Sequence, residues 1–260
     1  VNVIRSSLNV GGAFASSASA RAPERAPALV AVSHGTSSPE GQAAVEGLVR
    51  AVATLRPDVV VAGGFVDVQQ PDVRATLASL DARVPAVVVP LLLSAGYHVH
   101  LDLQRETAAV DRHTTVSAAL GPDDRLVDVL VRRLAVSGYR PNDEVVLAAA
   151  GSSDSRAVED CQHVARMLAV RLGRPVTAGF ISAAHPRLAD AVASVRAIHP
   201  GARVVLSTYL VAPGYFHSLA QEAGADIVSD PLLMPGEDPL PGLVDLVLER
   251  YAAARAGALS

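Results

Sequence analysis

Three short stretches of the chain carry side chains able to bind a metal ion or move a proton. They are Val32-Ser33-His34-Gly35-Thr36-Ser37, Phe65-Val66-Asp67 and Gly96-Tyr97-His98-Val99-His100-Leu101-Asp102. Each has a counterpart further along: Ala149-Ala150-Gly151-Ser152-Ser153, Phe180-Ile181-Ser182 and Gly214-Tyr215-Phe216-His217-Ser218. The punctuation survives in the second copy and the chemistry does not. His34 faces Ala150 in this alignment, Asp67 faces Ser182 and His98 faces Phe216. A repeat that drops two imidazoles and a carboxylate from one copy concentrates a site in the other. Two imidazoles and a carboxylate, with no thiolate, suit a borderline divalent ion such as Fe2+, Co2+, Ni2+ or Zn2+, and an incomplete shell leaves positions open for a substrate. His34, His98 and Asp67 are thus the candidate metal ligands.

Every one of these residues also has a plainer reading. A histidine before glycine at a strand end is often a hydrogen-bonded turn residue, and Asp67 could cap a surface helix. His100 is an alternative ligand, a metal-entry residue or a solvated loop histidine. Asp102 lies four residues after His98, so with a helix starting there the carboxylate could orient the ring. His217 falls in the equivalent loop of the second half and is a candidate contributor from across a cleft. His113, His163, His185 and His199 read as structural or solvated.

The elements that must position these groups alternate short Val/Leu-rich runs with longer amphipathic stretches, which is the signature of parallel βαβ units. Strands are expected at 29–33, 59–65, 86–93 and 114–118, with helices starting near Pro39, Pro71 and Asp102 and a last one over 123–137. The pattern recurs with strands at 144–150, 176–181, 203–209 and 226–228, and helices after Ser153, Pro186, Tyr215 and Pro239. Gly64 and Pro71 match Gly179 and Pro186 at an offset of 115, Gly35 matches Gly151 at 116, and Gly96 matches Gly214 at 118. So small a drift implies a duplication. The expected architecture is α/β: two flavodoxin-like lobes, each a four-stranded parallel sheet covered by helices, with a cleft between them. The lobes would span residues 28–140 and 141–260, meeting near Gly138–Asn142. In open parallel sheets ligands gather beyond the C-terminal ends of the strands, where all three stretches fall.

Bulk composition narrows the function. Half of the 260 residues are apolar but aromatics make up only 3 %, so the core is Val, Leu and Ala, as suits helices packed on parallel strands. A net charge of −4 without any basic block argues against nucleic acid. The single cysteine, Cys161, excludes an intrachain disulfide and fits a reducing compartment. No apolar run approaches the roughly 20 residues of a spanning helix. Residues 1–27, rich in Ala, Ser and Arg, read as disordered rather than as a transit peptide. No Gly-x-Gly-x-x-Gly or phosphate-loop lysine is present, so no nucleotide or organic cofactor is expected.

From Ala28 to about Leu248 the chain resembles the sirohydrochlorin chelatase family in its two-repeat form. The stretches that carry the resemblance are Ser33-His34-Gly35-Thr36, Gly64-Phe65-Val66-Asp67 with Pro71, and the run from Pro90 to Asp102. The resemblance implies chelatase-like lobes and a cytoplasmic lyase, monomeric or homodimeric, that inserts Fe2+, Co2+ or Ni2+ as substrate into sirohydrochlorin. Fe2+ insertion is the first reading. Co2+ insertion and a noncatalytic tetrapyrrole or metal carrier are the alternatives, and phosphoryl transfer through His34 lacks the adjacent arginine it would need. The resemblance assigns metal binding and assistance in insertion to His34 and His98. Relatives usually carry Glu where this chain has Asp67. Substrate contacts are expected from Thr36, Ser37, Tyr97, His100, Ser152 and His217, with backbone N–H groups at 36–38 and 152–153, Arg105 and Arg187 receiving the carboxylates.

Overall fold

The computed structural model describes residues 26–94 and 97–258, with the backbone alone over 97–102, 257 and 258. The β-branched runs form β1 (Ala28–Ser33), β2 (Val61–Phe65), β3 (Ala86–Pro90) and β4 (Thr114–Val116), all parallel in the order β2-β1-β3-β4. The second half repeats this with β5 (Glu144–Ala149), β6 (Val176–Phe180), β7 (Val204–Tyr209) and β8 (Ile227–Val228), in the order β6-β5-β7-β8. Each sheet is an open parallel sheet whose chain order reverses between its first and third strands. β1 and β3 are buried along their whole length because helices cover both faces.

Those helices are α1 (Pro39–Leu55), α2 (Val73–Ser79), α3 (Tyr97–Ala108) and α4 (Asp124–Val136), then α5 (Ser155–Leu172), α6 (Leu188–Ile198), α7 (Tyr215–Gln221) and α8 (Pro241–Ala258). Local chemistry sets their starts: Ser38, Asp72, Asp123 and Asp154 each accept a hydrogen bond from a backbone N–H two or three residues on. Two expected starts move. α2 begins at Val73 rather than near Pro71, because the Pro71 carbonyl is taken by Phe65 N (3.2 Å) and Asp72 supplies the cap. Pro186 does the same for Phe180 N (3.0 Å) ahead of α6. α3 begins at Tyr97, well before Asp102, as α7 does at the equivalent Tyr215. β3 also stops at Pro90 instead of Leu93, and residues 91–94 run over the end of the sheet. β2 starts at Val61, two residues later than expected.

Strand residues alternate between two environments. Val30, Val32 and Val88 pack with Val73, Leu77 and Leu103 on the outer face, whereas Leu29, Ala31, Val87 and Val89 join a core that continues into the second half through Val145, Leu147 and Val205. Two helices knit that shared core by crossing over. α4, the last helix of the first repeat, packs on α5 and β7 of the second sheet, and α8 packs on β3, β4 and α1 of the first. Each crossing helix carries a buried or half-buried arginine at the same repeat position. Arg133 of α4 donates to the Leu232 carbonyl (3.1 Å) and pairs with Glu237 (2.8 Å). Arg250 of α8 donates to the carbonyls of Ala119 (2.9 Å) and Leu120 (3.0 Å). Leu120 and Leu232 are themselves equivalent, since their N–H groups bond the carbonyls of Leu92 (2.8 Å) and Leu210 (3.0 Å). The Tyr251 hydroxyl closes the exchange by donating to the Pro27 carbonyl (2.6 Å).

Candidate metal and tetrapyrrole cleft

The reversal points of the two sheets open into one cleft of about 650 Å3. One wall is built from residues 33–37 after β1 and 91–94 after β3, and the other from 149–152 after β5 and 209–217 after β7. Its floor is stitched across the lobes by the Tyr209 hydroxyl, which donates to the Leu93 carbonyl (2.8 Å). Leu91, Leu92, Leu93, Val211 and Ala212 make most of the surface apolar. Among the described lining residues there is no Arg, Lys, Asp or Glu. An uncharged, apolar slot with a few polar groups at its walls is the usual form of a site for a large organic ligand.

His34 stands where β1 gives way to a tight turn, exposed on the first wall. The turn needs Gly35, whose φ is +93°; a Cβ there would lie 2.1 Å from the Asp67 carbonyl oxygen. Gly151 repeats this against the Ser182 carbonyl at φ +89°. Asp67 is tied to His34 through the backbone, its N–H donating to the His34 carbonyl (3.0 Å). Its carboxylate accepts from Val68 N (2.7 Å), and Asp67 is not among the cleft-lining residues. The capping alternative for Asp67 is replaced by Asp72, which caps α2. Val68, at φ +64°, instead lines the cleft from this loop, a left-handed conformation costly for a β-branched residue.

Thr36, Ser37, Ser152 and His217 all line the cleft. The N–H groups of Thr36 and Ser38, expected to receive a substrate carboxylate, are already bonded to Gln69 Oε1 (2.8 Å) and Thr36 Oγ1 (3.1 Å). Arg105, within α3, and Arg187, whose guanidinium reaches the Ile181 carbonyl (3.5 Å), are not among the lining residues either. The side chains of Tyr97, His98, His100 and Asp102 lie outside the described residues. The backbone places Tyr97, His98 and His100 in the first turn of α3 and Asp102 in the second, and the counterpart of His98, Phe216, lines the cleft. Among the described residues no three His, Cys, Asp or Glu side chains gather to hold an ion. His113, His163, His185 and His199 are exposed and away from the cleft lining.

Sequence reasoning passed over two lining residues. Cys161 of α5 is buried in the wall, where burial and the nearby Asp160 push its thiol up to about 12. Tyr209 is also buried, and burial drives its phenol well above the ordinary tyrosine value. Nothing in their local sequence marks either, because both depend on which face of a helix or strand meets the cleft. The second wall also exposes Tyr215 (72 %) and Phe216 (37 %), with ring centroids 6.1 Å apart.

Two parallel sheets with the same strand order, facing each other across a shared ligand cleft, define a duplicated α/β protein of the chelatase type. The CbiX family model matches residues 28–137 and 144–223, and the chain belongs to that family. A sirohydrochlorin ferrochelatase from Priestia megaterium is 30 % identical over 111 residues, 40 % of this chain and 42 % of the relative. A sirohydrochlorin cobaltochelatase from Methanococcoides burtonii is 29 % identical over 77 residues, 29 % of this chain and 59 % of the relative. The matches thus span less than two thirds of either curated relative. The structure of SirB from Bacillus subtilis with Fe3+ superposes with a TM-score of 0.71 at 19 % identity, covering 90 % of this chain and 97 % of that one. That likeness shows the fold. Among the described residues no helix is long and apolar enough to cross a membrane.

Proposed function

We propose that this chain is a cytoplasmic sirohydrochlorin chelatase that inserts Fe2+ into the macrocycle in the cleft between its lobes. The observation that carries the reading is the cleft itself: its walls come from the strand ends of both repeats, it is apolar, and its first wall presents His34 among uncharged lining residues. An ion held by a few imidazoles keeps open positions and can be handed over, whereas a closed shell would trap it. His34 would share the ion with His98, and with Asp67 if its side chain turns from Val68 N. Thr36, Ser37, Ser152 and His217 would meet the macrocycle from the cleft walls, joined by Tyr97 and His100 from the first turn of α3. No organic cofactor is invoked. The names of the curated relatives include both iron and cobalt insertion, so Co2+ is the competing metal.

Anaerobic absorbance of sirohydrochlorin with limiting protein and Fe2+, Co2+ or Ni2+ tests this. The expected result is multiple turnovers, fastest with Fe2+, and a loss of about 10²-fold or more in His34→Ala and His98→Ala. Co2+ outpacing Fe2+ would reassign the metal. Stoichiometric binding with no rate above the protein-free control would leave a carrier.

A further inference from the structure

A neutral imidazole has one lone pair. Once that pair binds an ion it cannot also take a proton, so a histidine that holds the incoming metal needs a separate base for the pyrrole N–H groups. Of the described cleft-lining residues, the imidazoles are His34 and His217, and they stand on opposite walls. Cys161 and Tyr209 are poor candidates, since burial raises both groups and keeps them protonated.

Resting on the chelatase reading, we propose that His217 is the catalytic base that removes the pyrrole protons, from the wall facing the metal-bearing one. Its ring is half-buried in the first turn of α7, with Asp230 and the Ser229 backbone beside it. A neutral imidazole carries its hydrogen on one ring nitrogen and a lone pair on the other, and that lone pair is what takes a proton. Tyr215 and Phe216 precede it on the same turn, and their exposed rings give a flat conjugated ligand an apolar surface beside the base. Protons leaving on the face opposite the arriving cation also avoid its repulsion.

The step balances. An N–H bond breaks, its electron pair stays on the pyrrole nitrogen and becomes the bond to the metal, and the proton bonds to the free nitrogen of His217. The imidazolium passes the proton to bulk water, and the second N–H follows the same route. The titratable groups around His217 are Asp230 after β8, Tyr209 of β7, Cys161 of α5 and His34 across the cleft. Burial lowers the affinity of His217 for a proton, outweighing Asp230 and the Ser229 carbonyl, so the ring remains a neutral base to below the ordinary histidine range.

The test compares wild type with His217→Gln, which keeps a polar side chain at the position but no basic nitrogen, and with His217→Ala. Insertion is followed anaerobically from pH 5 to 9, and Co2+ binding without tetrapyrrole is followed by titration. The expected result is a kcat about 10²-fold lower in both variants, KM and Co2+ affinity within about threefold of wild type, loss of the acidic limb of the pH profile, and partial rescue of His217→Ala by added imidazole. A kcat within about threefold of wild type in His217→Gln, or Co2+ affinity that falls with kcat, would overturn the assignment. Wild-type protein without turnover would instead overturn the chelatase reading itself.

Discussion

At the scale of single residues, the cleft depends on a few atoms with no room to move. Gly35 is one: a methyl group there would collide with the Asp67 carbonyl and also force an alanine to φ +93°. Gly35→Ala is expected to cost about 3 kcal/mol in chemical denaturation, through clash and backbone strain together. Cys161 gives a second expectation. With its thiol pushed up to about 12, alkylation by iodoacetamide at pH 8 should run about 10³-fold slower in the native chain than in denaturant, as read by mass spectrometry. The sequence makes Gly35 readable, because glycine recurs at Gly151 in the same setting. Cys161 is not readable in this way, since a cysteine in an amphipathic helix looks the same whether its neighbours are other side chains or a binding cleft. His34 and His217 stand out as imidazoles just beyond strand ends, His34 after β1 and His217 after β7. The orientation of Asp67 toward Val68 N is hidden, because it follows from the left-handed backbone at Val68 rather than from residue type.

At the scale of elements, alternation and turn residues make the strands and their parallel order legible, and the shifted start of α2 has a hydrogen-bonding cause. Pro71 and Pro186 look like first residues of helices but are spent on accepting strand N–H groups, which pushes the caps on by one. The packing partners of α4 and α8 are not legible at all. An amphipathic stripe shows that a helix is covered, without showing by which sheet. Arg133 and Arg250 mark the exchange once it is seen, for each reaches carbonyls of the other repeat. Arg133→Ala would leave the Leu232 carbonyl and the Glu237 carboxylate without their guanidinium and should cost about 3 kcal/mol. Arg250→Ala, at a position more open to solvent, should cost about 2 kcal/mol. Urea denaturation of both variants checks the order; equal, negligible losses would mean that apolar packing alone holds the crossing helices.

At the scale of the whole molecule, duplication accounts for the architecture and divergence between the copies accounts for the chemistry. The first repeat kept the imidazoles at its strand ends, and the second exchanged them for Ala150 and Phe216 while acquiring His217 on α7. A cleft made this way has unlike walls, so a ligand bound in it meets different groups on its two faces. The exchange of helices has a further consequence, one of timing during synthesis. α1 covers the inner face of the first sheet beside β2, but the cover over β3 and β4 is α8, at residues 241–258, so a ribosome that has finished the first repeat has made an apolar inner face only partly covered. Domains of most proteins fold as they emerge, first half first. Here the cover of the first sheet is complete only once the last helix has been made.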